Sequence, residues 1–200
     1  MLECTSVRNP IVPGTELMKD EDGVKVDATG YKQIVGSLRY LTVTRPDLMF
    51  VVGLVSRYME RPTELHLSAV KRVLRYVKGT LELGILYKKG GTGDLVGYTD
   101  SDYAGNLDDR RSTSGYAFLF GDGAVAWSSK KQPVVTLSTT EGEFVAAASC
   151  ACQAVWMRRI LDALNHPQKE SIMMYCDNAS TIKLSKNAVL HGRSIERVRY

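Results

Sequence analysis

The sequence predicts an α/β protein, with a mixed β-sheet flanked by helices and a small helical segment before it. Apolar residues recur at helical intervals of three and four between residues 31 and 80. Beyond residue 80 the pattern changes to the alternation typical of strands, and the elements follow in the order strand, hairpin, helix, strand, helix. These observations divide the chain into an extended arm at 1–30, a helical segment at 31–90 and a sheet domain at 91–200.

The first two segments differ in their helix-breaking and helix-capping residues. The arm combines proline, glycine and a run of charges without a sustained apolar period. In the helical segment a second helix is expected to start at Pro46, and a third follows Thr63, which is placed to cap it. Gly79 is placed to end that third helix. The segment therefore predicts three helices.

The strands are predicted from alternation and from turn residues. Residues 83–87 and 95–99 bracket a glycine-rich turn, so both are expected to be strands. Residues 115–120 and 124–128 alternate on either side of an Asp-Gly pair, which is a strong hairpin signal. A hairpin is therefore expected in the middle of the sheet.

A long helix, a short strand and a final helix complete the predicted order. Ser138 or Thr139 can cap a helix that runs to about residue 164, where a His-Pro pair stops it. Residues 172–176 predict a strand and residues 178–186 a helix that follows it directly. The buried face predicted for the long helix consists of Phe144, Ala147, Ala151 and Val155.

Three acids fall at the ends of predicted elements, where an α/β fold collects ligands: Asp100, Glu143 and Asp177. Oxygen ligands of this kind suit Mg²⁺, with Mn²⁺ as an alternative ion. Two such ions about 4 Å apart activate a water molecule and stabilise the leaving oxygen in phosphodiester hydrolysis. Acids at element ends are also common caps and solvated groups, so spacing alone leaves the site open.

Other classes of protein lose support from the same sequence. No stretch approaches the run of about 18 apolar residues that a membrane span needs, so no membrane partner is expected. A calcium loop beginning at Asp100 fails at Ala104 and at Arg111, where ligands are required. The four cysteines are too scattered for a disulfide framework or a zinc finger, and are expected to be reduced thiols.

Several ordered blocks of sequence resemble the Pol polyproteins of copia-type LTR retrotransposons. One such block surrounds Asp177 at residues 175–178. Blocks that resemble the RNase H region of this family are 98–105 (YTDSDYAG), 109–116 (DRRSTSGY), 138–147 (STTEGEFVAA) and 175–178 (YCDN). Blocks 31–38 and 44–47 resemble the segment that joins the reverse transcriptase to RNase H.

The resemblance implies an RNase H-like fold that hydrolyses RNA in RNA:DNA hybrids during reverse transcription. It assigns the catalytic and metal-binding roles to Asp100, Glu143 and Asp177. Helix phase favours Glu143 over Glu141 for the side facing the sheet, and Asp102 is expected to lie outside the strand's alternation. A reverse transcriptase domain is the implied partner, and the implied location is cytoplasmic, with access to the nucleus as an alternative.

The resemblance weakens at the C-terminus of the chain. The family continues past residues 191–194 with a Lys-His-Ile-Asp stretch whose aspartate supplies a fourth acid, followed by a closing helix. This sequence has Glu196 nearby and ends at Tyr200, so a C-terminally truncated sheet domain with weak or no cleavage is expected. Three interpretations stay open: a hybrid-specific ribonuclease, a nucleic-acid-binding module without catalysis, and a structural remnant.

Overall fold

The computed structural model describes residues 4–89 and 93–187. The residues up to Ile85, together with Asn106–Asp109, form one compact unit, called here the helical unit. Leu86–Gly105 and the residues from Arg110 onward form the other, called the sheet unit. Within the described ranges, no helix is both long and apolar enough to cross a membrane.

The helical unit contains the three predicted helices. They are α1 (Ala28–Leu41), α2 (Met49–Val55) and α3 (Glu64–Gly79), with short 3-10 turns on both sides of α2. The carboxylate of Asp27 accepts hydrogen bonds from the first backbone amides of α1, so this helix begins before the predicted boundary at residue 31. As predicted, α3 follows Thr63 and ends at Gly79.

The N-terminal residues are part of the helical unit rather than a separate extended arm. Leu17 is buried within the core formed by the helices, with 2% of its surface exposed. The hydroxyl of Tyr58 donates to the carbonyl of Leu17 at 2.6 Å, and Nε2 of the buried His66 donates to the carbonyl of Met18 at 2.8 Å. Sequence periodicity does not predict this packing, because a segment without regular secondary structure buries single side chains that do not recur at a fixed interval.

The sheet unit has a four-stranded mixed sheet. Its strands are β1 (Leu95–Ser101), β2 (Thr113–Phe120), β3 (Gly123–Lys131) and β4 (Met173–Tyr175), arranged in the order β3-β2-β1-β4. β1 is antiparallel to β2 and parallel to β4, and β2 and β3 form the predicted hairpin. The predicted α/β class with a mixed sheet is therefore confirmed, and the order agrees with an RNase H-like fold.

The strand predicted at residues 83–87 is wrong. These residues carry no strand hydrogen bonding, and Leu83 and Leu86 are more than half exposed. The side chain of Tyr87, rather than its backbone, reaches the sheet unit's hairpin by donating to the carbonyl of Ala124 at 2.8 Å. Alternating apolar residues without a strand edge to pair with do not form a sheet.

The long helix α4 (Thr139–Ala163) is capped by Ser138, but its buried face differs from the predicted one. Cys150 and Ala154 pack against Leu95 and Phe118, whereas Val155 is 53% exposed. Small residues allow the helix backbone to lie close to the sheet, and close packing sets its rotation more than side-chain hydrophobicity does. The buried residues of α4 are Gly142, Glu143, Ala146, Cys150 and Ala154.

The last helix is tied to the start of α4. Helix α5 (Ala179–Lys186) is capped by the side chain of Asn178, which accepts from the backbone amide of Thr181. The hydroxyl of Thr181 donates to the carbonyl of Thr140 at 3.0 Å. These bonds hold the turn between β4 and α5 beside the first turns of α4. The predicted C-terminal truncation concerns residues beyond 187, which lie outside the described residues.

Candidate metal centre

Two of the predicted acids lie at the ends of neighbouring parallel strands. Asp100 is in β1, and Asp177 follows β4 by two residues. The last paired residues of the two strands are Tyr98 and Tyr175, and Asp100 and Asp177 each follow this pair by two residues. Parallel strands end at the same edge of a sheet, which explains why both carboxylates lie at that edge.

Glu143 reaches the same edge from α4. Its Oε1 accepts a hydrogen bond from the backbone N–H of Ser101 at 3.2 Å, and only 6% of the residue is exposed. Its Oε2 is buried and has no hydrogen-bond partner among the described residues. A buried acceptor without a partner is unfavourable, so this oxygen is available for an ion.

Asp100, Glu143 and Asp177, called here the carboxylate cluster, interact electrostatically. Burial raises the pKa of Glu143, and the nearby carboxylates of Asp100 and Asp177 raise it further. The amide of Ser101 opposes this rise because it stabilises the charged form. Neighbouring negative charges of this kind favour a bound cation, and the donor set of carboxylate oxygens fits Mg²⁺ or Mn²⁺.

The three acids differ in exposure. Asp100 and Asp177 are exposed to solvent, whereas Glu143 is buried behind them. One carboxylate oxygen of Asp100 accepts the N–H of Ser101 at 2.9 Å. The cluster therefore has one fixed, buried carboxylate and two that a substrate in solution can approach.

Cys176 is a member of this site that the sequence reasoning missed. Its sulfur, a carboxylate oxygen of Glu143 and one of Asp177 lie within 4.8 Å of one another. Burial raises the pKa of the Cys176 thiol, and the carboxylates of Glu143, Asp177 and Asp100 raise it further. Alternation along β4 was the available signal, because it places Cys176 on the same face as Met174, which packs against the sheet unit's core.

The neighbouring acids considered in the sequence serve the backbone. Glu141 accepts from the N–H of Leu137 at 2.7 Å, before the start of α4. Asp102 accepts from the N–H of Thr113 at 2.6 Å, which fixes the turn after β1 to the start of β2. Glu196, the expected substitute for a fourth acid, lies outside the described residues.

A buried glutamine supports the position of Glu143. The side-chain amide of Gln132, which is 3% exposed, donates to the carbonyl of Gly142 at 2.9 Å. The same nitrogen lies 2.7 Å from Ser114 Oγ and 3.2 Å from Ser101 Oγ. Gln132 thus joins β1, β2 and the first turn of α4, the elements that carry Asp100 and Glu143.

Two known proteins that resemble this chain over nearly its whole length are transposon polyproteins. The retrovirus-related Pol polyprotein from transposon RE1 of Arabidopsis thaliana is 40% identical over 193 residues, which cover 96% of this chain and 13% of that protein. The Pol polyprotein from transposon TNT 1-94 of Nicotiana tabacum is 41% identical over 202 residues, covering 97% of this chain and 15% of that protein. This chain thus spans only a small part of the polyproteins that it matches.

A shorter relative matches over most of its own length. Secreted RxLR effector protein 161 of Plasmopara viticola is 47% identical over 128 residues, which cover 64% of this chain and 90% of that protein. No protein-family model matches the chain, and no solved structure gives a significant match. Identity of about 40% across almost the whole chain decides the family: the chain belongs to the copia-type, retrovirus-related Pol polyproteins of transposons.

Proposed function

We propose that the sheet unit is a metal-dependent ribonuclease that hydrolyses the RNA strand of RNA:DNA hybrids during reverse transcription of a retrotransposon. The observation that carries this proposal is the carboxylate cluster at the edge of the sheet. Its members come from β1, α4 and the end of β4, in the order that the family resemblance assigns to the catalytic acids. The relatives that match nearly the whole chain include Pol polyproteins of transposons, which supports a role in copying the transposon.

The cluster would hold Mg²⁺ or Mn²⁺ through Asp100, Glu143 and Asp177. When bound, the metal supplies an activated water and stabilises the leaving oxygen of a phosphodiester. The protein's own contribution is to fix the ligands. The backbone amide of Ser101 donates to one oxygen of Glu143, and the side chain of Gln132 donates to the carbonyl of the preceding residue, Gly142. Fixed ligands reduce the reorganisation that metal binding and catalysis require.

The helix that follows the cluster in sequence carries positive charge. Lys183 and Lys186 lie in the last turn of α5, whose first turn is bonded to the start of α4. Exposed cationic side chains attract the nucleic-acid backbone, and this attraction depends on salt. Discrimination of RNA from DNA would use 2′-hydroxyl contacts and helix shape. A reverse transcriptase domain of the polyprotein is the proposed partner.

Cleavage of an RNA:DNA hybrid by the whole chain tests the proposal. We expect Mg²⁺ or Mn²⁺ to support cleavage of the RNA strand, while the DNA strand and a DNA duplex stay intact. Asp100→Asn should lower the rate by about 100-fold or more, because it removes a ligand charge from the cluster.

The matched control is Asp94→Asn, which removes the same charge from an exposed residue just before β1. It should leave the rate within about twofold of the native rate. Equal activity of Asp100→Asn and the native chain would contradict the proposal. Salt-dependent hybrid binding by a folded native chain without any product would instead support a binding module.

A further inference from the structure

The cluster of side chains around Cys176 combines two kinds of metal ligand. Glu143 and Asp177 offer hard carboxylate oxygens, and Cys176 offers a soft sulfur within 4.8 Å of both. Mg²⁺ is bound by oxygen ligands and has little affinity for sulfur, so Cys176 has no part in the proposed magnesium chemistry. Zn²⁺ accepts both thiolate and carboxylate ligands. The donor set therefore suits a metal that the carboxylates alone would not select.

We propose that Glu143, Cys176 and Asp177 form a mixed thiolate and carboxylate site that binds Zn²⁺. Zinc bonds are about 2.3 Å to sulfur and about 2.1 Å to carboxylate oxygen, so at the tetrahedral angle the ligand atoms of one ion are about 3.5 Å apart. The three ligand atoms lie within 4.8 Å of one another, so rotations of the Cys176 and Asp177 side chains that shorten these separations by roughly 1 Å would complete the site. Three protein ligands leave the fourth tetrahedral position for water.

The buried oxygen of Glu143 supports this site independently of the sulfur. Glu143 is 6% exposed, and its Oε2 lacks a hydrogen-bond partner within the part of the chain that the structure describes. Oε1 is already held by the Ser101 amide, so the side chain is fixed while one oxygen remains available. A bound ion would satisfy that oxygen and offset the repulsion from the neighbouring carboxylates.

The other thiols differ from Cys176 in their surroundings. Cys152 and Cys4 are exposed, and Cys150 is buried against the apolar core of the sheet unit. Within the described residues, only the group containing Cys176 brings a thiol together with two further ligand atoms in this way. When zinc binds, the sulfur–metal bond forms as the thiol proton leaves to solvent, and no atom changes oxidation state.

Zinc would compete with Mg²⁺ for Glu143 and Asp177. This consequence rests on the proposed ribonuclease function, whereas the zinc site itself does not. Zinc bound through Cys176 would occupy two of the three acids without reproducing the two-ion arrangement. Hybrid cleavage should therefore be inhibited by Zn²⁺ in the presence of excess Mg²⁺, and Cys176→Ser should relieve that inhibition.

Cobalt substitution tests the site without nucleic acid. Co²⁺, a spectroscopic substitute for Zn²⁺, should produce a thiolate-to-cobalt charge-transfer absorption when added to the whole reduced chain. Cys176→Ser should abolish this absorption and weaken zinc binding by about 100-fold or more, because even an outer contact of a zinc ligand contributes about 10- to 100-fold. Excess Mg²⁺ should not remove the absorption.

The double variant C4S/C152S is the matched control, because it removes the two exposed thiols and leaves the site intact. It should keep both the absorption and the zinc affinity. Absence of the absorption in the folded native chain, or its persistence in Cys176→Ser, would overturn the proposal. If zinc binds in this way but no hybrid is cleaved with Mg²⁺, the inference stands and the proposed function fails.

Discussion

Glu143 is the residue at which burial and charge conflict most directly. It is the one buried acid of the carboxylate cluster, and both Asp100 and Asp177 act on it. Its pKa is raised in the folded chain, so without metal the charged form destabilises the fold. This loss in the free energy of unfolding is absent below the ordinary pKa of glutamate and is complete once the pH exceeds the raised pKa of Glu143.

Replacing Glu143 with glutamine should stabilise the metal-free chain at neutral pH. The variant removes a buried charge and can donate a hydrogen bond to a neighbouring carboxylate, so we expect a gain on the order of 1 kcal/mol. The gain should shrink as the pH falls through the raised pKa of Glu143, because the native side chain then becomes neutral. Denaturant unfolding in a chelator at neutral and mildly acidic pH measures both effects.

Glu141→Gln is the matched control, since Glu141 lies one half-turn earlier and accepts from the Leu137 amide. It should not stabilise the chain, because it weakens the helix cap. If the metal-free native chain is as stable as Glu143→Gln at neutral pH, the charge of Glu143 does not destabilise the fold.

Sequence reasoning named the three acids of the cluster but not the thiol among them. Asp100, Glu143 and Asp177 follow from element ends and from the family resemblance. Cys176 directly precedes Asp177, but the scattered spacing of the four cysteines gives no sign that it shares a site with the acids. Its place in the site depends on the register between β1 and β4 and on the rotation of α4, and single-sequence patterns do not determine either of these.

Among the elements, α4 shows how packing determines which helix face is buried. The predicted face included Ala151 and Val155, whereas the face against the sheet contains Cys150 and Ala154. Gly97 in β1 contributes to the same close packing, since a Cβ there would lie 2.8 Å from the ring of Phe118. Small residues on both sides permit the approach that places Glu143 at the sheet edge.

A larger side chain at Ala154 should therefore disturb the helix and the site together. Ala154→Leu inserts three carbon atoms into a packed interface, and we expect a loss of about 1–3 kcal/mol in the free energy of unfolding. Val155→Ala, on the exposed side of the same helix, should change stability by less than about 0.5 kcal/mol. Equilibrium unfolding in urea measures the two losses. A larger loss of stability in Val155→Ala than in Ala154→Leu would indicate that the predicted face, which contains Val155, is the buried one.

At the scale of the whole molecule, the order of elements was easier to predict than their grouping. The change from helical to strand periodicity identified the helices and the strands that form the sheet, although it also predicted a strand at residues 83–87 that does not form. The boundaries of the units did not follow from it, because Leu17 packs into the helical core and the short segment Asn106–Asp109 groups with the helical unit. Both contacts join residues far apart in sequence, which local periodicity does not encode.

The proposed function requires that three acids from separate elements form one metal centre. Titration of Mn²⁺ into the metal-free chain, followed by the paramagnetic resonance signal of the free ion, tests this claim most directly. The native chain should bind Mn²⁺, Asp100→Asn and Asp177→Asn should each weaken binding by about tenfold or more, and Asp94→Asn should bind as the native chain does. Unchanged Mn²⁺ affinity in both cluster variants would contradict a shared metal centre.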